Sequence, residues 1–520
     1  MVQLTLLRRL DAFNRVLACR DTFLSKIVRE ALALARFEPS LLARFHDDVE
    51  RCCRDEKKVR LMDGIFREEQ LPRFPRFEDM LEPCDFDPVD AQEFGLQEGR
   101  PRAVDSETLL VLLVINGVIS LTSRAGYDRL VESEVFDAFL AAKGMRLPSR
   151  STVARYLDMV SEDTHRLLHC ALLAKATAEG LDDFTELTVD STAVEANSAW
   201  PTDSGLIFGY LRRADNLLRV QAKYTGVAYE SKLVERWLPE LQRMHKSIQM
   251  LPSRPGSAAE RRRLYRSLLH TARKTEKKIR ELLERRLPEI RSCCILPSLR
   301  LRVDRIIEEL HRALDDAGRT AAVAVRRVLL GETVPAKDKA FSLADPDAYM
   351  ISKGGREPVL GYKPQIGRSA SGFISGFEVL AGNPADSERL GAMVELHRET
   401  TAVVPESVST DDGYSSADNL RDLRELGVKR VSFSGSKGRA VLGEELWNAP
   451  EQQSMRRDRS AVESGIFTLK HHCNLRRFCR HGLDGVRKDL SEATLAYNLW
   501  RMAFVRARKR EEGPPVAAAA

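Results

Sequence analysis

The chain has 520 residues, too many for one ordinary domain, so two or three are expected. Its content of 43% hydrophobic and 30% charged residues is that of a soluble globular protein and excludes a disordered or membrane-embedded one. Lysine and arginine number 82 against 76 acids, a net charge of +6, so bulk charge argues only mildly for nucleic acid and distribution matters more. Basic residues concentrate at Arg261 to Arg286 and Arg456 to Arg510, which solvated helix faces would explain as well as DNA contact.

The opening segment lacks a secretory core and cleavage site, so a cytoplasmic protein is expected. From Val2 to about Arg67 apolar residues recur at helical spacing. Pro72, Pro75, Pro83 and Pro88 then rule out a long helix and suggest a linker or extended arm. The longest apolar run, Leu109 to Leu121, is broken by Asn116 and Gly117 and is too short to cross a bilayer. It reads as a buried helix capped by Asp105 or Ser106 and opening a compact helical unit that ends near His169. Within that unit SRSTVARYLDMV begins with a Ser/Thr cluster and exposes Arg150 and Arg155 early. A helix-turn-helix recognition helix has that form, and so has one helix of a plain packing module.

Near Leu181 the pattern turns to strand in FTELTVDSTAVEAN, and WPTDSG follows as a loop and helix cap. Residues from Leu206 to about Val334 are helical and highly charged, and helices near Arg261–Arg286 and Leu301–Ala317 suggest an antiparallel hairpin. Strands return in REPVLGYKPQIG and GFISGFEVLAG, then a helix in DSERLGAMVELHRET, then a strand in AVVPESVSTDDGY. The chain is helical again from roughly Asp458, and EEGPPVAAAA reads as a disordered tail. This order fits a mixed α/β core interrupted by a helical domain. Nine scattered cysteines, including Cys52–Cys53 and Cys293–Cys294, show no zinc spacing and favour a reducing compartment. His471, His472 and Cys473 are too crowded for one tetrahedral site.

Three acids stand out by setting. Asp190 lies in or at the end of the strand LTVDST, and Asp411 ends ESVSTD before Asp412, Gly413 and Tyr414. Glu463 lies on a helix where Val462, Ile466 and Leu469 fall at helical spacing, so that it can face the sheet. A few carboxylates on rigid elements suffice to hold magnesium or manganese for phosphodiester chemistry. Singly, each is as well explained as a turn residue or a solvated helix residue.

As a set they resemble the DDE transposases of bacterial insertion sequences, over roughly Asp105 to Arg501. The first motif is similar to DSTAVEAN from Asp190, the second to Asp411-Asp412-Gly413-Tyr414 and SSADNLRDLRELGVKRV, the third to Arg459, Glu463 and Lys470. The family's tyrosine three residues before the arginine is replaced by Arg456, while PTDS at Pro201 to Ser204 and NLRRFCRHGLDGV with ATLAYNLWRM also look like the family.

The resemblance implies an α/β fold, an RNase H-like mixed sheet with helices, interrupted by a helical insertion and preceded by an all-α N-terminal region. The expected domains are 1–100, a helical region with a proline-rich arm; 101–180, a helix-turn-helix-like DNA-binding domain; and 181–505, the catalytic domain with its insertion at about 205–340. A tail would span 506–520. It further implies two Mg2+ ions, replaceable by Mn2+, held by Asp190, Asp411 and Glu463. Arg459 and Lys470 would hold phosphates, and Arg476, Arg477, Arg150 and Arg155 would touch DNA. The expected partners are transposon ends and target DNA, with a homodimer or larger assembly, no membrane, and a bacterial nucleoid setting. A transposase-derived DNA binder that no longer cuts, and an RNase H-like nuclease without strand transfer, are the alternatives. Phe478 and Trp500 read as core aromatics.

Overall fold

A computed structural model describes residues 22–70, 104–227, 231–252, 255–352 and 357–512, with side chains described over 22–55 of the first stretch. The expected proline-rich arm and the last eight residues of the expected tail lie outside the described residues. By packing, the chain divides into two units.

The first unit holds Met1–Arg51, Pro101–Asn197 and Asp347–Ala520. It opens with α1 (Phe23–Phe37) and α2 (Ser40–Gln70), the second continuing past the unit's boundary. Thr22 starts α1 through a capping box with Ser25. Then come α3 (Ser106–Asn116), α4 (Arg124–Val131), α5 (Glu134–Lys143), α6 (Arg150–Met159) and α7 (Glu162–Ala178). Asp105 accepts from the Thr108 amide as the cap of α3. Every residue of α3 from Thr108 to Asn116 is buried, as a continuous apolar run with no polar face requires.

Strands β1 (Glu186–Ser191) and β2 (Val194–Glu195) follow α7. The second unit then intervenes with α8 (Asp203–Thr225), α9 (Lys232–Met250), α10 (Ala258–Cys293) and α11 (Pro297–Ala324). Their cores share one cluster that includes Ile207, Leu211, Leu241, Leu268, Ile279, Leu310 and Leu314. The expected hairpin of α10 with α11 is present, Arg280 meeting Asp315 at 2.7 Å, although α11 packs chiefly on α8 and α10 on α9. Apolar stripes show which face is buried but not which neighbour buries it. On α10, Arg263, Arg280 and Arg286 each meet an acid three or four residues away on the same helix.

The chain re-enters the first unit with β3 (Tyr349–Ile351), β4 (Val359–Tyr362), β5 (Gln365–Ser369), β6 (Ile374–Glu378), α12 (Leu390–Thr401) and β7 (Ser407–Thr410). After these come α13 (Ala417–Glu425), β8 (Arg430–Phe433), α14 (Gly435–Leu442), α15 (Glu444–Asn448), α16 (Pro450–Asp458), α17 (Ala461–His472) and α18 (Gly482–Glu512). The main sheet runs β6-β5-β1-β7-β8, with β5 antiparallel to both neighbours and β1, β7 and β8 parallel. A smaller sheet runs β2-β4-β3. The fold is therefore α/β, an RNase H-like mixed sheet with a helical insertion and an all-α start.

Leu187, Val189, Val408, Val431 and Phe433 pack against Leu390, Met393 and Leu423 of α12 and α13. Side chains alternate along a strand, so Asp190 falls on the face opposite Val189. The start of β1 is fixed by Phe184, fully buried at a φ of 58°. Asp182 secures this unusual turn, accepting from the Phe184 amide at 2.8 Å and from Ser369 Oγ at 2.6 Å.

The helices of 101–180, expected as a separate domain, share this packing unit with the sheet. The tail expected from residue 506 is corrected: α18 continues to Glu512. Arg506 pairs with Glu30 and Glu179, and Lys509 donates to the Gly180 carbonyl, which holds the helix's last turns against the unit. Phe478 is buried, and half-buried Trp500 stacks on Phe23 at 5.7 Å. No described helix is long and apolar enough to cross a membrane.

Candidate active site

Strands β1 and β7 are parallel neighbours, with Val189 paired to Thr410. The next residue of each is an acid, so Asp190 and Asp411 leave adjacent strand ends side by side. Both line a cleft of about 650 Å³, together with Glu357, Arg459, Glu463, Phe467, Lys470 and His471. Helix α17 forms one wall, burying Val462 and Leu469 and leaving Glu463 65% exposed on the cleft side.

Arg459 sits at the junction of α16 and α17 in helical conformation. One guanidinium nitrogen is 3.8 Å from Asp190 Oδ2 and the other 3.6 Å from Glu463 Oε1. Lys470 lies further along α17 and donates to the Ala193 carbonyl at 2.7 Å, tying the wall to the segment that follows β1. Asp190 Oδ1 accepts from the Ser191 amide at 2.7 Å, and Asp411 Oδ1 from the Gly413 amide at 2.9 Å.

Behind Asp411, the Tyr414 amide donates to the Asp411 carbonyl at 3.3 Å. Tyr414, fully buried, donates through its hydroxyl to Gln365 Oε1. Gln365 in turn donates to Asp386 Oδ1 at 2.7 Å, and Lys363 pairs with the same oxygen at 3.2 Å. Burial, and then the Asp386, Asp190 and Asp411 carboxylates, push the Tyr414 phenol well above its ordinary range, so it stays a donor. Asp412 turns away from the cleft, and Arg456 is taken up by Trp447, whose ring it covers at 3.9 Å.

The other expected DNA-contact residues do not line the cleft. Arg476 is exposed, with Nη2 3.1 Å from His471 Nδ1, while Arg477 Nε donates to the Ala196 carbonyl at 3.1 Å. Arg150, exposed in the first turn of α6, folds back to donate to the Thr122 carbonyl at 2.7 Å, and Arg155 is exposed one turn on. The far end of α6 is held where Lys488 donates to the Asp158 carbonyl at 2.7 Å.

Sequence reasoning missed Glu357, Asp386 and the aromatic wall. Phe467 is 56% exposed and stacks on His471 with ring centroids 4.0 Å apart and planes 19° from parallel. Their spacing of four residues on a helix was the available signal.

The donor set fits a hard divalent cation in its chemistry: carboxylate oxygens from two strand ends and a helix. Asp190 and Glu463 both face the one guanidinium of Arg459, so they already converge on a common positive charge. Among the described residues no three such groups are close enough to hold an ion as they stand. Glu463, largely exposed, has room to swing inward.

Residues 332–499 match the family model described as Transposase DDE domain. Over that stretch the chain is similar to a transposase DDE domain. The match includes Asp411, Arg459, Glu463 and Lys470; Asp190 precedes it, and sheet pairing with β5 and β7 brings it alongside. No curated protein and no solved structure is significantly similar to the chain.

Proposed function

We propose that the chain is a transposase that binds the ends of an insertion sequence, cleaves them and joins them to target DNA. One observation carries this reading: Asp190, Asp411 and Glu463 line one cleft with Arg459 and Lys470. In it the three acids would hold magnesium ions, for which manganese could substitute, and such ions would supply activation of the attacking oxygen and stabilisation of the leaving one. Asp190 and Asp411, on rigid strand ends, fix the position of the reacting phosphate, and Glu463 completes the set from α17. The forked guanidinium of Arg459 suits a phosphate edge, and Lys470 contributes a point charge. Tyr414, Gln365 and Asp386 keep Asp411 in register. Arg476 beside the cleft, with Arg155 on α6, extends the contact along the DNA backbone.

Incubating the protein with Mg2+ and DNA that already ends in a 3′-OH tests the joining step. Joined products support the transposase, while cleavage without joining would replace it with a nuclease of the same fold. Inverted repeats in the DNA flanking the gene supply the end sequences for the assay.

A further inference from the structure

Asp190 and Glu463 come from different elements, yet each faces a separate nitrogen of the same Arg459 guanidinium, at 3.8 and 3.6 Å. Two carboxylates directed at one point repel each other unless a positive charge lies between them. Arg459 supplies it, with its side chain 20% exposed and Asp190 11% exposed. The distances are longer than those of a bidentate pair, about 2.7–2.9 Å, so the guanidinium is held by charge rather than by close hydrogen bonds. A charge held in that way is exchangeable.

We propose that Arg459 and a divalent cation are alternative occupants of the Asp190–Glu463 pair, so that Arg459 keeps the cleft closed to metal until a phosphate draws it away. The inference rests on the metal-dependent reading above. A hard cation would take the carboxylate oxygens of both acids, which Arg459 now faces. The guanidinium cannot remain within 4 Å of both acids beside a second, doubly positive charge. Its fork suits a phosphate edge as well as it suits two carboxylates, and the DNA backbone offers that alternative partner. Phosphate and metal binding are then coupled, each favouring the other by the same factor. A cleft so built takes up little metal in the absence of DNA.

The test is a Mn2+ titration of the full chain without DNA, read by the electron paramagnetic resonance signal of free Mn2+. Wild type, R459Q, R459K and D190N are compared, with thermal melting as the folding control. Removing the competing charge in R459Q should tighten Mn2+ binding by about fivefold or more, the lower end of the coupling between linked sites. R459K, a single point charge unable to span both acids, should fall between R459Q and wild type. D190N should lose the binding. If R459Q binds Mn2+ no more tightly than wild type while D190N loses it, the exchange is overturned and the metal site stands. If D190N binds as wild type does, the metal site itself fails and the exchange with it.

Discussion

Asp412 Oδ1 accepts a hydrogen bond from the Gly438 amide at 3.0 Å, on the first turns of α14, a helix whose own Ser434 makes no side-chain cap. Gly435 beside it has a φ of 91°, and a Cβ there would lie 2.4 Å from Asp412 Cγ. Of the two adjacent aspartates, Asp411 lines the cleft and Asp412 serves the helix. Asp411→Asn should therefore be inactive with Mg2+ or Mn2+, whereas Asp412→Asn, which keeps an acceptor oxygen, should retain substantial activity. Asp412→Ala should cost about 1 kcal/mol of stability, as the loss of a helix cap does. Cleavage of a labelled end and thermal melting check these outcomes, and a dead Asp412→Asn beside an active Asp411→Asn would reverse the assignment.

A buried ionic knot ties α18 to the N-terminal helices. Arg480 meets Asp489 and Glu492, and Glu492 also accepts from Asn116 at 2.5 Å and lies 3.6 Å from His165. Burial alone would raise the Glu492 carboxyl, but Arg480 and His165 bring it down to about 2. Glu492→Ala leaves the Arg480 charge buried with one partner fewer and should cost about 3–5 kcal/mol. Urea denaturation measures it, and a loss below 1 kcal/mol would show the knot to be dispensable.

Two buried histidines make the fold acid-sensitive. Burial lowers His169 and His397 from 6.5 to about 4. His397 Nε2 donates to the Phe184 carbonyl at 3.0 Å and Nδ1 accepts from Ser375 Oγ at 2.6 Å, an arrangement that needs the neutral ring. Because both folded values lie below the unfolded value, the unfolded chain takes up protons first as pH falls. Stability should be level above pH 6.5 and decline toward pH 4, by up to about 3 kcal/mol per histidine. Glu492, also depressed, adds to the loss only below about pH 4.5. Unfolding midpoints across pH 4–8 test this, and His397→Gln should flatten part of the slope.

The aromatic wall offers a separable prediction. Phe467 is exposed, so Phe467→Ala should leave the melting temperature within a degree or two of wild type. If DNA bases lie against the Phe467–His471 stack, the same change should weaken DNA binding by about 1–3 kcal/mol, the worth of one stacked base. Unchanged affinity would mean that the stack serves only the helix.

The strands around the cleft were legible because runs such as ELTVDS and ESVST are short, rich in β-branched residues and bounded by turn residues. Helix α17 was legible because Val462 and Leu469 mark its buried side. That α10 leans chiefly on α9 and α11 on α8 was not, since any apolar stripe can cover any other of similar length. The role of Asp386 was illegible for another reason: it reads as the start of the helix DSERLGAMVELHRET but lies in a 3-10 turn before α12, and only the fold of β5 brings Gln365 between it and Tyr414. The helical course of residues 506–512 was hidden likewise, because Glu30 and Glu179 that hold Arg506 lie more than 300 residues away in sequence.

The most direct test of the active-site assignment is end cleavage measured beside end binding for Asp190→Asn, Asp411→Asn and Glu463→Gln. Each substitution removes a charge that a hard cation needs and leaves size, fold and the basic surfaces alone. Gel-shift affinity for the transposon end should stay within about twofold of wild type, since phosphate contacts dominate it. Mg2+-dependent cleavage of the labelled end should fall below detection in all three. Near-normal cleavage by any one of them would contradict the account, because that residue would not belong to the metal-binding set.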